Sequence, residues 1–213
     1  MTSAASWAGA LKVTLCITAA YAAFSLLWKY FGDTAYATLL LWTSSPFIRV
    51  LKGLMLDSTS VSGGNVIAAF TDYRHTIGEF KMGVHALSFT RDVPPTLAVL
   101  TASWPFIRRS FSAGGTGNRF FGAVGFYAAS LGILFTIDLI SSILIIARTV
   151  TLREVQISPL SNGLGAVVWI FSGNVTEDFF KTAVPFAAGF YVYLTILARQ
   201  KRINPTVDTN EHP

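Results

Sequence analysis

The sequence predicts a mainly α-helical integral membrane protein with about four transmembrane helices, interfacial helical segments and a small extracytoplasmic β-hairpin module. Hydrophobic residues make up 52% of the 213 residues, 13% are charged, and the mean hydropathy is +0.53, a balance typical of membrane proteins. The longest apolar run, Phe120 to Ala147, contains a single charge, Asp138. As a helix it would be roughly 42 Å long, more than the roughly 30 Å of hydrocarbon in a bilayer.

The charge and cysteine content indicate which classes of binding partner to expect. The net charge is +5, but the basic residues are dispersed or lie at the ends of apolar runs, where they determine membrane topology. The sequence lacks a stripe of basic residues with interleaved aromatic residues, which is the pattern typical of nucleic-acid binding. Cys16 is the only cysteine, which excludes an intrachain disulfide. We therefore expect the lipid bilayer and other membrane subunits as partners, and no nucleic acid.

Residues 1–32 are predicted to form the first transmembrane helix. Its apolar core, Val13 to Trp28, is bounded by Lys12 and Lys29 and ends in the sequence WKYF. An aromatic and basic end of this kind is typical of a membrane anchor, whereas a signal peptide ends in small residues.

Residues 33–92 are predicted to form an extracytoplasmic module that begins with an interfacial helix. Ser45 and Pro46 fit an N-cap and first helical position. Beyond them, five apolar residues share one helical face opposite Arg49 and Lys52; they are Phe47, Ile48, Leu51, Leu54 and Met55. The alternative is a single kinked span over residues 35–56.

A β-hairpin is predicted to rest on that helix. Val66 to Phe70 is typical of a short buried strand, and Phe80 to Ala86 alternates apolar with other residues as a half-buried strand does. Leu87 and Phe89 shift the alternation by one residue, which indicates a bulge.

Residues 93–203 are predicted to hold three more membrane helices. Pro94 to Ile107 begins with a proline pair, has its last turn distorted by Pro105, and ends at Arg108 and Arg109. The Phe120 to Ala147 span follows. A helix beginning at Thr176, bending at Pro185 and ending near Leu197 is the last.

Two shorter features complete the chain. Leu164 to Phe171 is too short to cross a bilayer and is interpreted as interfacial or re-entrant. Residues 204–213 are polar and predicted to be disordered. Because the basic clusters at 108–119 and 199–202 belong on one side, we expect four spans with both termini in the cytoplasm, in a bacterial cytoplasmic membrane.

Asp138 is the first candidate for a functional role, because a carboxylate in a span is costly unless it is paired or neutral. Ser141 and Ser142 follow within one turn. No basic residue lies within the apolar core of another predicted span, so no internal salt bridge is expected. An ion or proton pathway and a packing or inter-subunit contact both remain open, and we favour the second.

Small residues on the same helix are the second candidate. Gly125 and Ala129, and likewise Ala128 and Gly132, lie four residues apart. Such pairs let another backbone approach closely. The helix that packs on these residues is equally expected to belong to this chain or to a separate subunit.

His75, Glu79 and His85 are weak candidates for zinc ligands, since their spacing is not that of a helical HExxH site. No serine lies in a GxSxG setting. We therefore expect no metal and no cofactor.

The predicted function is a non-enzymatic accessory or scaffolding subunit of a larger membrane complex. The alternative is a small transporter or ion- or proton-conducting protein that uses Asp138.

Overall fold

The computed structural model describes residues 4–73, 78–86, 90–112, 119–157 and 163–203. The protein is mostly helical with one small antiparallel sheet, which confirms the mainly α prediction. Its elements in order are α1 (Ala4–Leu27), a first π-turn (Trp28–Gly32), α2 (Asp33–Lys52), β1 (Leu54–Ser62), β2 (Asn65–Asp72), β3 (Glu79–His85), α3 (Val93–Ser112), α4 (Arg119–Ile157), α5 (Gly163–Val175), a second π-turn (Thr176–Phe180) and α6 (Lys181–Ile203).

Three helical stretches of the described chain are long and apolar enough to cross a membrane: Leu11–Lys52, Gly122–Ile157 and Lys181–Ala198. They correspond to three of the four predicted spans. The fourth, α3, is not among them, because its three prolines and its arginine pair lower its hydropathy. Four spans therefore stay a prediction.

The predicted helix start at Ser45 and Pro46 is wrong. Helix α2 continues from Asp33 to Lys52 with Pro46 inside it, as the alternative of one kinked helix requires. Proline there removes only the hydrogen bond to the carbonyl of Trp42, and the helix is held by the burial of its other face. It ends at Gly53, whose φ of 72° allows its N–H to bond to the carbonyl of Arg49.

The five apolar residues predicted to share one face of this helix are divided in the structure. Ile48 is buried, Phe47 and Leu51 are exposed, and Leu54 and Met55 belong to β1. Lys52, which was expected on the outer face, bonds to Glu154 of α4. Contacts with the sheet and with α4 bury one side of α2.

The sheet contains three strands in the order β1–β2–β3. Strands β2 and β3 match the two that the sequence predicts, whereas β1 was missed. A bulge between Leu56 and Ser58 interrupts the alternation of β1, so that its sequence lacks the regular period of a strand. The bulge predicted at Leu87 and Phe89 lies outside the described residues.

The described residues fall into two compact units: a first unit within 1–25, 93–133 and 184–213, and a second unit within 26–92 and 134–183. The second unit has one hydrophobic core shared by α2, the sheet and α4. It contains Ala37, Leu40, Leu41, Ile48, Leu54, Leu56, Val66, Ala68, Phe70, Met82, Val84, Ala86, Ile145, Ile146 and Val150. The sheet is thus built onto the helices and has no separate core.

Within the second unit, α2 runs parallel to the second half of α4. Tyr36, near the start of α2, bonds to Asp138, and Lys52, at its end, bonds to Glu154. Helix α4 extends to Ile157, ten residues beyond its predicted end at Ala147, because charged residues in its last turns have partners on other helices.

The last two helices are continuous through the second π-turn, so the predicted helix start at Thr176 is wrong. The Thr176 hydroxyl donates 2.8 Å to the carbonyl of Ser172 inside the helix and does not cap a new one. The residue before it, Val175, keeps helical dihedral angles.

The first unit has a smaller core of Leu100, Ile107, Ala123, Phe126 and Val192. Aromatic rings surround it. Phe126 stacks on Tyr191 with centroids 5.4 Å apart, which adds a ring contact to the apolar burial.

Candidate functional site

Four polar side chains meet in the interior of the second unit: Tyr36, Asp92, Asp138 and Lys181, which we call the charge cluster. The Lys181 ammonium lies 3.1 Å from Asp92 Oδ1 and also contacts Asp138 Oδ1. The Tyr36 hydroxyl donates 2.8 Å to Asp138 Oδ2. The side chains of Lys181, Asp92 and Asp138 are each 0% exposed. One lysine therefore joins two carboxylates out of contact with solvent.

Each member comes from a different segment. Tyr36 lies in the first turn of α2, Asp92 immediately precedes α3, Asp138 lies within α4, and Lys181 is the first residue of α6. The cluster therefore links segments that are far apart in sequence.

Two π-turns precede the helices that contain Tyr36 and Lys181 and set the direction of these two side chains. The first ends four residues before Tyr36 and the second ends immediately before Lys181. A π-turn holds one residue more than an α-helical turn, which rotates the following face by about 100°. In the first, Gly32 leaves room for the Trp28 ring, since a Cβ there would lie 2.6 Å from it. That ring packs edge-on against Tyr36.

The opposite charges of the cluster lie close enough to compensate one another in part. Two carboxylates and one ammonium carry a formal charge of −1 when all are ionised, and the Tyr36 hydroxyl donates a further hydrogen bond to Asp138. An uncompensated charge at a position without solvent would be very costly. The three charges therefore depend on one another.

The expectation that Asp138 has no internal salt bridge is wrong. The sequence analysis placed Asp92 in the extracytoplasmic module, and it gave Lys181, within the helix predicted from Thr176, no role. Lys181 is the only basic residue between Arg153 and Arg199, but it follows Glu177 and Asp178 closely and so resembles a surface charge.

Ser141 and Ser142 do not join the cluster. Both are buried, but their hydroxyls donate to the carbonyls of Ile137 and Asp138 in their own helix, at 2.7 and 2.8 Å. Their hydrogen bonds are satisfied locally, so they serve packing.

A second polar group, which sequence reasoning missed, lies further along α4. Lys52 bonds to Thr151 and Glu154 at 2.6 and 3.0 Å and lies 5.6 Å from the centre of the Trp169 ring. Arg148 bonds to Glu177 at 2.6 Å and to Asn174 at 2.8 Å.

A glycine allows one of these contacts. A Cβ at Gly173 would lie 2.5 Å from Arg148 Cβ, so only glycine lets α5 approach Arg148 this closely. From Asp138 to Glu154 the polar contacts follow α4 over about 24 Å.

The small-residue ladder of Gly125, Ala128, Ala129 and Gly132 is exposed. A methyl group added at Gly125 or Gly132 would meet no atom within 4 Å. Among the described residues no other helix packs closely on this face, so the close helix contact stays a prediction.

The candidate zinc ligands are not brought together where the structure describes them. Glu79 and His85 are exposed at opposite ends of β3, about 20 Å apart at the rise of a strand. His75 lies outside the described residues. The described part of the chain contains no group of three side chains that could hold a metal ion.

The chain matches no protein-family model, no curated protein and no solved structure. Its function is therefore inferred from the contacts described above.

Proposed function

We propose that the chain is a non-enzymatic accessory or scaffolding subunit of a larger membrane protein complex, in which the helices hold the sheet as a docking platform. The observation that carries the proposal is the core shared by α2, α4 and the sheet. A sheet that shares its core with membrane-anchoring helices has a fixed orientation. A fixed orientation is what a scaffolding surface needs.

The outer face of the sheet is suited to contact with another protein. Its middle rungs pair Ser58 with Ala69 and Lys81, and Ser60 with Ile67 and Gly83. These side chains are mostly small, so the face is flat and another backbone could approach it.

In this role Asp138 serves packing within the chain, where Lys181 and Tyr36 hold it. The exposed small-residue ladder on α4 adds a second surface on which a helix of another subunit would fit.

We place the protein in a bacterial cytoplasmic membrane with both termini in the cytoplasm. In this arrangement α3 is a short fourth span, since its apolar part from Pro94 to Ile107 is about 21 Å long and its charged end reaches the interface. Arg108 and Arg109 at its end favour the cytoplasmic side. The sheet then faces the opposite side.

Site-specific photo-crosslinking tests the platform. We expect a photoreactive amino acid at Gly83, where a Cβ meets nothing within 4 Å, to give one discrete product containing a different chain. The matched control is the same amino acid at Leu164, which is 85% exposed on an apolar helix and should react with lipid. Equal protein products at both positions, or a lone 23.1 kDa species with no product from Gly83, would contradict the proposal.

The charge cluster favours a second candidate, a small transporter or ion- or proton-conducting protein. Buried ionisable groups within membrane helices often mark an ion or proton pathway, and Asp138 meets Lys181 and Asp92 in such a position.

Flux through proteoliposomes decides between the two candidates. A conducting protein should lose flux at least about tenfold in Asp138→Asn, while Glu154→Gln, which changes an ion pair outside the cluster, should retain it. The accessory role instead predicts that the wild-type protein alone gives no proton or cation flux above that of protein-free liposomes.

A further inference from the structure

We propose that a groove at the end of α3 binds the phosphate headgroup of an anionic membrane lipid. The groove is an open cavity of about 360 Å³ lined by Trp104, Pro105, Arg108 and Arg109. It belongs to the first unit and shares no residue with the charge cluster. The inference rests on membrane insertion but not on the accessory role.

Helical spacing brings an aromatic ring and a guanidinium to the same side. Trp104 and Arg108 are four residues apart, as are Pro105 and Arg109, so the four residues form two adjacent strips of the helix. Both arginines are exposed, and both line the groove.

The aromatic wall is held in place from behind. The Trp104 ring packs edge-on against Tyr127 of α4, with centroids 5.1 Å apart. The Tyr127 hydroxyl donates to the carbonyl of Leu100, which lies one turn before Trp104 in α3. Pro105 offers no N–H to the carbonyl of Thr101, which interrupts the helix wall here. The groove is thus supported by a second helix.

The chemistry selects a phosphate diester. Guanidinium groups bind phosphate oxygens through paired hydrogen bonds, and α3 itself contains no acidic residue. A cavity of about 360 Å³ is at the small end of ligand sites, which suits a headgroup.

Membrane position identifies the source of the phosphate as a lipid. Arg108 and Arg109 follow an apolar helix, and Trp104 precedes them by one turn, the order in which tryptophan and basic residues occur at the edge of the hydrocarbon. An anionic lipid such as phosphatidylglycerol suits two arginines, whereas the cationic choline of phosphatidylcholine would be repelled.

Lipid retention measures the site directly. The full-length protein is placed in nanodiscs of mixed phosphatidylglycerol and phosphatidylcholine, extracted with mild detergent, and its retained lipids are measured by native mass spectrometry. We expect the wild type to retain phosphatidylglycerol preferentially. The variant Arg108→Gln/Arg109→Gln should reduce that retention by about tenfold or more, since charged hydrogen bonds of this strength are lost.

The control variant Lys12→Gln/Arg153→Gln removes the same charge from two exposed positions elsewhere and should retain the lipid. Equal loss in both variants, or no preference of the wild type for phosphatidylglycerol, overturns the proposal, and the second result needs no variant. Displacement of the lipid by inorganic phosphate would assign the groove to soluble phosphate and also overturn it. None of these results depends on the crosslinking at Gly83.

Discussion

Replacing Lys181 by methionine is expected to lower the free energy of unfolding by about 3–5 kcal/mol, because it leaves two buried carboxylates without their common cation. Lys181 is 0% exposed and contacts both Asp92 and Asp138, whose side chains are also 0% exposed. The free energy is measured by denaturation in mixed detergent micelles. Lys12→Met, at an exposed position, is the control and should change it by less than about 0.5 kcal/mol.

A triple variant separates the loss of charge balance from the loss of packing. Lys181→Met combined with Asp92→Asn and Asp138→Asn removes all three charges and keeps similar volumes. It should recover most of the lost stability, because neutral replacement of a buried ion pair is often close to neutral. A triple variant no more stable than Lys181→Met would show that the side-chain shape of Lys181, and not its charge, supports the fold.

Replacing Phe70 by alanine is expected to cost about 3–5 kcal/mol, the usual range for truncating a buried phenylalanine. Phe70 is 1% exposed, lies in the middle strand and contacts the ring of Phe80. Its control is Val61→Ala, which removes methyl groups from a residue of the same sheet that is 58% exposed, and which should change stability by less than about 0.5 kcal/mol.

Hydrogen exchange gives the Phe70 variant a more specific outcome. Because the sheet shares its core with α2 and α4, amides near Ile146 and Val150 of α4 should exchange faster in Phe70→Ala. Faster exchange confined to the strands would show that the sheet unfolds separately from the helices. The docking platform would then lack its fixed orientation.

The sequence predicted the elements whose signals are local. Long apolar runs identify helices by composition alone, and the alternation in β2 and β3 identifies strands. The predicted helix ends were less reliable. Pro46 and Thr176 resemble starting points, but both lie inside longer helices whose buried faces outweigh local preference.

The charge cluster was only half predictable. Asp138 is conspicuous because it interrupts an apolar run, whereas Asp92 and Lys181 lie beside polar residues and look like ordinary surface charges. Their meeting depends on packing between segments that are 43 to 89 residues apart. A single sequence without structural neighbours holds no direct signal for such contacts.

The two π-turns make the charge cluster sensitive to the number of residues in a helix as well as to their identity. Removing one residue from the Thr176–Phe180 turn would restore an α-helical turn and rotate Lys181 by about 100° relative to the helix before it. Every side chain of the charge cluster would be retained, yet the lysine would leave its carboxylates. The charge cluster therefore depends on the rotation of each helix about its axis as well as on the residues that the helix contains.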